Sequence, residues 1–187
     1  MGYFDDLKNV EKYLKMVEGY DGRELIKVLK TYLPKGSSVL ELGMGPGKDL
    51  DILRKFYKVT GSDNSQVFLD FYKQRRKNAD LLLLDAVELN TKRKFDCIYS
   101  NKVLHHLTKP ELKKSFINQK INLKRKGLLF HSFWHGNKVE IYKGIRFTFY
   151  TESELVKMFT KVFELLELKR YKEIKKDDSM YVLLRKK

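Results

Sequence analysis

The residues best suited to chemistry lie around three alternating glycines, Gly43, Gly45 and Gly47. Glycine permits tight turns and lets backbone amides approach a bound ligand closely. The helix predicted to begin at Lys48 would add unpaired amides and the positive end of its dipole, which together favour a carboxylate. The carboxyl group of Glu41, just before the turn, would favour an ammonium group instead. We therefore expect a ligand with an amino-acid moiety at this turn.

The spacing of these glycines differs from the dinucleotide pattern Gly-x-Gly-x-x-Gly, whose third glycine would fall at Lys48. A carboxylate at Glu41 would also repel a pyrophosphate. An NAD-type oxidoreductase is therefore disfavoured. A tight strand-to-helix connection that binds no ligand stays open as the alternative.

Two more acidic residues end the apolar runs that follow. The run from Lys58 ends at Asp63, which precedes Asn64, and the run from Ala79 ends at Asp85. One carboxylate can accept hydrogen bonds from both hydroxyls of a ribose, and an acid in this position is suited to hold that diol. Asp63 is therefore a candidate ribose ligand. Its alternative role is to cap the helix that follows.

Taken together, these residues resemble the cofactor site of the class I S-adenosylmethionine-dependent methyltransferases. The shared series is Glu41-x-Gly-x-Gly-x-Gly, Asp63, Asp85 and Phe95–Leu107, and the resemblance runs from about Val39 to the C-terminus. It implies S-adenosyl-L-methionine as cofactor and S-adenosyl-L-homocysteine as product. It also implies that Asp63 binds the ribose and that Asp85 binds the adenine. The implied cofactor-binding residues are Glu41, Gly43, Gly45, Gly47, Asp63, Asn64, Asp85, Ala86 and Asn101.

Methyl transfer from a sulfonium is an in-line displacement, so the protein must mainly align the acceptor and exclude water. We predict no metal site, and the single cysteine, Cys97, argues against a cysteine-rich one. A hydroxyl or ammonium acceptor would need a general base, and histidine suits this role near neutral pH. The acceptor-side candidates are His105, His106 and His131, each with a structural role as its alternative. Because His105 and His106 are adjacent, at most one should face the acceptor.

The acceptor is predicted to be a small molecule. The segment Ser100-Asn-Lys-Val lacks the Asn/Asp-Pro-Pro-Tyr/Phe clamp of amino-methylating nucleic-acid enzymes. The sequence also lacks the catalytic Pro-Cys dipeptide of pyrimidine C5 methylation. The net charge of +15 keeps an RNA methyltransferase open as an alternative. A non-catalytic, cofactor-binding partner subunit is a third hypothesis.

We expect the chain to be a cytoplasmic monomer or homodimer without a membrane partner. No apolar run in the sequence reaches the roughly 18 residues of a transmembrane helix. The first residues also lack the apolar core of a signal peptide.

The elements that must position these residues alternate between strands and helices. Five strands alternating with helices, followed by a closing hairpin, predict an α/β fold. It is a doubly wound, mostly parallel seven-stranded sheet with an antiparallel last strand and helices on both faces. Residues 1–36 should form N-terminal helices that act as a lid or pack on the main domain, and residues 37–187 the methyltransferase domain. The helix predicted over residues 110–124 should turn four apolar side chains inward, namely Leu112, Phe116, Ile117 and Ile121.

Overall fold

A seven-stranded sheet forms the centre of the computed structural model, which describes residues 3–187. The first two residues of the predicted segment 1–36 lie outside this range. The helices are α1 (Leu7–Met16), α2 (Arg23–Tyr32), α3 (Lys48–Leu53), α4 (Gln66–Arg75), α5 (Lys109–Asn122) and α6 (Glu152–Phe159), and short 3-10 turns cover Tyr3–Asp5 and Leu104–His106. The strands are β1 (Ser38–Leu42), β2 (Lys58–Asp63), β3 (Leu81–Leu83), β4 (Phe95–Asn101), β5 (Leu123–Trp134), β6 (Val139–Tyr142), β7 (Ile145–Thr148), β8 (Phe163–Tyr171) and β9 (Ser179–Lys186).

The strand order in the main sheet is β3-β2-β1-β4-β5-β9-β8. Strands β1 to β5 pair in parallel, whereas β9 is antiparallel to both β5 and β8. The predicted mostly parallel sheet with an antiparallel last strand is confirmed. The carboxyl ends of β1, β2, β4 and β5 meet at one side of the sheet, which we call the carboxyl edge, and the opposite side is the amino edge. Ligands of open parallel sheets bind at the carboxyl edge.

Helices cover both faces of the sheet because successive strand residues point to opposite sides. Leu40 and Ile98 face a core completed by α5 and α6. Their neighbours Val39 and Cys97 face a second core completed by α2 and α3. Cys97 is fully buried, and burial raises the pKa of its thiol, so it is a packing residue.

The orientation predicted for α5 is wrong in part. Ile117 and Ile121 are 56% and 62% exposed, whereas Ser115, Gln119 and Asn122 are buried. The polar side chains can face inward because they find partners there: Ser115 and Asn122 donate to backbone carbonyls of the loop after β3. The apolar spacing alone could not reveal these hydrogen bonds.

A small hairpin between β5 and α6 stands apart from the main sheet. Strands β6 and β7 pair antiparallel, and Lys143 and Gly144 form their turn with φ values of 51° and 79°. Two consecutive left-handed residues are typical of tight hairpin turns. Strand β7 packs against the 3-10 turn at Leu104–His106, so the hairpin covers the segment that carries two of the candidate histidines.

Candidate cofactor and acceptor site

The glycine turn after β1 has a backbone that other residues rarely adopt. Gly43, Gly45 and Gly47 have φ values of 63°, 49° and 78°. A Cβ atom on Gly43 would lie 2.5 Å from the side chain of Val103, and one on Gly47 would lie 2.3 Å from the ring of Tyr72. Two of the three glycines are therefore required both by conformation and by space.

Three buried carboxyl groups surround this turn: Glu41 at the end of β1, Asp49 in α3 and Asp63 at the end of β2. Burial raises the pKa of all three, and the charges of Asp49 and Asp63 raise that of Glu41 further, well above its ordinary value. Among residues 3–187 no cation forms an ion pair with any of them. The cluster is therefore suited to bind a positively charged group.

The side chain of Glu41 is the least satisfied of the three. It is only 3% exposed, and its Oε2 atom has no hydrogen-bond partner within the described chain. A buried polar atom without a partner is costly, so such an atom beside a glycine turn is suited to bind a ligand. An ammonium group would supply both the charge and the hydrogen bonds.

Asp63 is held in place by backbone amides. Its Oδ2 accepts from the Gly45 N–H and its Oδ1 from the Ser65 N–H, each at 2.9 Å. These bonds oppose the effect of burial on its pKa and fix the carboxyl group beside the turn. Asn64 follows it at the surface. The helix-capping alternative falls instead to Ser65, whose hydroxyl caps α4.

Asp49 links the turn to two other elements, a role that sequence reasoning missed. It accepts from the Gly22 N–H at 2.6 Å, from Tyr99 Oη at 2.8 Å and from Asn101 Nδ2 at 3.1 Å. Asn101 in turn accepts from the Ser132 hydroxyl at 2.6 Å. The only signal in the sequence was an acid in the first turn of a predicted helix, which usually serves the helix alone.

Asp85 and Ala86 lie just beyond β3, next to the end of β2. The strand is shorter than the predicted run 79–85, and the backbone bond from the Leu84 N–H to the Asp63 carbonyl brings the loop alongside. Asp85 is exposed, and its Oδ1 accepts from the backbone N–H groups of Val87 at 2.7 Å and Glu88 at 2.9 Å. Its position, one strand beyond Asp63, leaves it at the rim of the site.

An N-terminal tyrosine covers the glycine turn. Tyr13 in α1 is half-buried, and its ring would lie 3.9 Å from a Cβ atom on Gly45. Burial and the charges of Asp63 and Asp49 raise its pKa to about 12. Its ring packs against Phe4 and Phe68, with centroid separations of 5.1 and 5.8 Å.

The histidines His105 and His106 lie together under the β6–β7 hairpin. Their ring centroids are 4.0 Å apart, and Phe147 of β7 stacks on His105. Neither ring nitrogen of His105 has a partner in residues 3–187, while His106 Nδ1 lies 2.6 Å from the Arg146 carbonyl. Because a carbonyl only accepts, His106 carries its proton on Nδ1 and leaves Nε2 as a proton acceptor. Burial lowers both pKa values, so both rings are neutral.

His131 lies elsewhere, inside the sheet–α5 core. Its ring nitrogens are both 2.8 Å from partners, Nδ1 from Ser100 Oγ and Nε2 from Gln119 Oε1. Gln119 donates to Ser115, which donates to the carbonyl of Ala86, so a buried network crosses from β4 to the loop after β3. Burial lowers the His131 pKa to about 3. The geometry supports its structural alternative and not a place beside an acceptor.

Lys102, which sequence reasoning did not single out among so many lysines, lies at the carboxyl edge with φ of 55°. Its Nζ lies 3.6 Å from the ring centroid of Trp134, donates to Ser179 Oγ at 2.5 Å and lies 3.7 Å from Glu173. Burial lowers its pKa to about 8. The contacts tie the loop after β4 to the start of β9 and so fix the segment that carries His105.

Comparison with known proteins finds similarity to methyltransferases in both sequence and fold. Residues 39–127 match a family model described as a methyltransferase domain. A search of the curated proteins returns no match.

Three solved structures illustrate the similarity of fold. The 1,6-didemethyltoxoflavin-N1-methyltransferase of Burkholderia thailandensis, solved with 1,6-didemethyltoxoflavin and S-adenosylhomocysteine, is 17% identical with a TM-score of 0.80 over 94% of this chain and 82% of its own. An S-adenosylmethionine-dependent methyltransferase of Clostridium acetobutylicum is 18% identical with a TM-score of 0.76 over 95% and 97%. The N-methyltransferase NodS of Bradyrhizobium japonicum, solved with S-adenosyl-L-homocysteine, is 14% identical with a TM-score of 0.74 over 99% of each chain.

At these identities the structural neighbours establish the fold, while the domain model covers the turn, the acids and β4. The order of motifs along the chain agrees with both. The methyltransferase-domain model and the shared fold support the resemblance of this chain to the class I S-adenosylmethionine-dependent methyltransferases.

Proposed function

We propose that the protein transfers a methyl group from S-adenosyl-L-methionine to a small-molecule acceptor by in-line displacement. The observation that carries this proposal is the buried, unpartnered Oε2 atom of Glu41 beside the glycine turn. The bound cofactor would supply an electrophilic methyl group on a sulfonium. The protein's own residues bind and orient it and keep water away.

In this proposal each part of the carboxyl edge has one task. Glu41, within its cluster of acids, holds the ammonium group, and the glycine turn lies against the methionine part. Asp63, already fixed by two amides, accepts from the ribose hydroxyls, with Asn64 beside it. Asp85 and the amide of Ala86 bind the adenine at the rim. Asn101, held by hydrogen bonds to Asp49 and Ser132, lines the bottom of the cofactor site.

The acceptor lies next to the loop after β4, under the β6–β7 hairpin. His106 is the better candidate for a general base, because its Nδ1 is engaged by a carbonyl and its neutral Nε2 can take a proton. His105 orients the acceptor through its unpartnered nitrogens. The Burkholderia neighbour, which was solved with a small heterocyclic molecule, supports a small-molecule acceptor.

The N-terminal segment acts as a lid over the cofactor. Tyr13 covers Gly45, and hydrogen bonds fasten the segment to the site: Ser65 Oγ donates to the Phe4 carbonyl at 2.6 Å, Lys48 Nζ to the Val17 carbonyl, and the Gly22 N–H to Asp49 Oδ1 at 2.6 Å. Because the segment is held by few contacts, it can open for exchange of cofactor and product.

The first experiment is a thermal shift of the purified protein with S-adenosylhomocysteine, S-adenosylmethionine and NADH. A ligand at about 100 times its dissociation constant adds roughly 2.7 kcal/mol, which corresponds to a shift of several degrees. We expect a shift with the two adenosyl ligands and none with NADH. No shift with either, for folded protein free of carried-over ligand, would contradict the proposal. Transfer of labelled methyl to candidate acceptors then tests the reaction.

A further inference from the structure

Positive charge collects at the amino edge of the sheet, opposite the candidate cofactor site. The parallel strands begin at this edge, and β9, being antiparallel, ends there. Lysines and arginines stand at most of these strand ends. We call the following set the basic edge: Lys94 before β4, Arg125 and Lys126 in β5, Lys161 before β8 and Lys187 after β9.

A bulge in β5 pushes two of these cations outward. Phe95 pairs with Leu123 and Cys97 with Leu128, so residues 124–127 lie opposite Asp96 alone. Within the bulge Lys126 has φ of 59°, a strained value for a lysine. Such a bulge ends regular pairing and presents Arg125 and Lys126 to solvent, where both are exposed.

The cations of the basic edge are not neutralised within the described chain. The nearby acids already have partners: Asp96 lies 2.9 Å from Lys124 and Glu164 lies 3.4 Å from Arg185. No ion pair involves Lys94, Arg125 or Lys126 in residues 3–187. Burial, and with it the charges of Lys94 and Lys120, lowers the pKa of the neighbouring Lys186.

An apolar strip adjoins this charge on the outer face of α5. Ile117 and Ile121 are both exposed on this face, and α5 ends at the amino edge. On a helix, Lys113, Ile117, Lys120 and Ile121 share one face. Ile121 also forms one wall of a shallow groove of about 360 Å³ against the loop at Leu89–Lys92.

We propose that the basic edge and the outer face of α5 bind the surface of an anionic lipid bilayer. Exposed aliphatic side chains between lysines fit this partner, because the cations attract acidic headgroups while the isoleucines enter the interface. RNA fits less well, since isoleucine neither stacks on bases nor hydrogen-bonds to them. In the described chain no helix has the length and apolar character to cross a membrane. The proposal therefore concerns adsorption, and it departs from the expectation of no membrane partner.

The test is co-sedimentation of the full chain with vesicles of phosphatidylcholine alone or mixed with phosphatidylglycerol. We expect binding only to the anionic vesicles and weaker binding at high salt. Lys94→Gln/Arg125→Gln/Lys126→Gln should reduce the partition coefficient by about tenfold or more. The matched control, Lys172→Gln/Lys175→Gln/Lys176→Gln, removes equal charge from the exposed turn after β8 at the carboxyl edge and should bind nearly as the parent does.

Substitution of the two isoleucines distinguishes binding to a lipid bilayer from binding to other polyanions. Ile117→Ser/Ile121→Ser changes only exposed side chains, so the fold should persist, and vesicle binding should fall several-fold. A short single-stranded RNA, measured by fluorescence anisotropy, is the comparison ligand. Equal loss in both lysine variants would overturn the proposal, as would absent vesicle binding. Tight RNA binding combined with no effect of the isoleucine variant on vesicles would overturn it in favour of a nucleic-acid surface.

Discussion

The Gly22 N–H donates to Asp49 Oδ1 at 2.6 Å, which joins the segment between α1 and α2 to the first turn of α3. A Cβ atom on Gly22 would lie 2.3 Å from Asp49 Oδ2 and 2.4 Å from Tyr99 Oη. The packing therefore allows no side chain here, although the φ of −86° is ordinary. This contact joins the N-terminal segment to the candidate cofactor site.

Gly22→Ala should therefore destabilise the protein and weaken cofactor binding together. We expect the free energy of unfolding to fall by about 1–3 kcal/mol because the added carbon must displace buried groups. Gly19→Ala is the control: it has open space, and only its φ of 84° adds strain. Denaturant unfolding and calorimetry with S-adenosylhomocysteine measure both effects. Cofactor affinity lost equally in the two variants would contradict a specific role for the Gly22–Asp49 contact.

Asp63→Ala should weaken S-adenosylhomocysteine binding by roughly tenfold to a hundredfold, because hydrogen bonds to a charged group contribute about 1.5–3 kcal/mol. Circular dichroism should show the parent fold. Asp80→Ala, which removes a carboxylate from an exposed ion pair with Arg93, should leave affinity unchanged. Unchanged affinity in Asp63→Ala by calorimetry would remove the ribose role from this residue.

Sequence alone was sufficient for the elements that local rules control. The bounds of β2 agree with the predicted run from Lys58 to Asp63, and the residue types and spacing of Thr151 and Glu154 are those of the capping box that begins α6. These features depend on residue type, spacing and short-range hydrogen bonds, which the sequence displays directly.

Features that depend on long-range partners were not predictable. Part of the inward face of α5 is polar because Gln119 meets His131, which lies on a different element and comes close to it only in the fold. Lys102 is distinguished from other lysines only by the elements that surround it, and no local signal marks it. The same holds for Asp49, whose partners come from two distant segments.

Glu41 should make the stability of the ligand-free protein fall as pH rises. Its pKa is higher in the folded than in the unfolded state, so the folded protein binds the proton more tightly. The stability contributed by the tighter proton binding of Glu41 is fully present below the ordinary glutamate pKa. It is lost as the pH rises through the pKa of Glu41 in the folded protein. Glu41→Gln should flatten this dependence at pH values above the ordinary glutamate pKa and raise the melting temperature there. An unchanged slope in calorimetric scans would show that Glu41 ionises freely.

His106→Ala should reduce kcat by roughly a hundredfold or more if its Nε2 accepts the acceptor's proton. Because burial lowers its pKa, the acid limb of the parent's pH–rate profile should lie below the ordinary histidine value and vanish in the variant. This experiment follows identification of an acceptor by labelled methyl transfer. If His106→Ala kept the acid limb of the pH–rate profile, the general base would be another residue.

His131→Ala should instead act through stability. Removing the ring leaves Ser100 and Gln119 without their buried partners and opens a cavity, which together cost about 2–4 kcal/mol. The pH–rate profile of the surviving folded protein should match the parent's. If His131→Ala shifted the pH–rate profile but kept the stability of the parent protein, His131 would instead act on the acceptor side.

Tyr13→Ala should accelerate release of S-adenosylhomocysteine, because the ring covers Gly45 and packs with Phe4 and Phe68. Most changes at a binding surface alter dissociation more than association, so we expect the release rate to rise by roughly tenfold with little change in association. Tyr20→Ala is the matched control, since Tyr20 belongs to the same N-terminal segment but is exposed. Stopped-flow measurement of release distinguishes the two. Equal release rates in parent, Tyr13→Ala and Tyr20→Ala would mean that the N-terminal segment packs on the domain without controlling access to the cofactor.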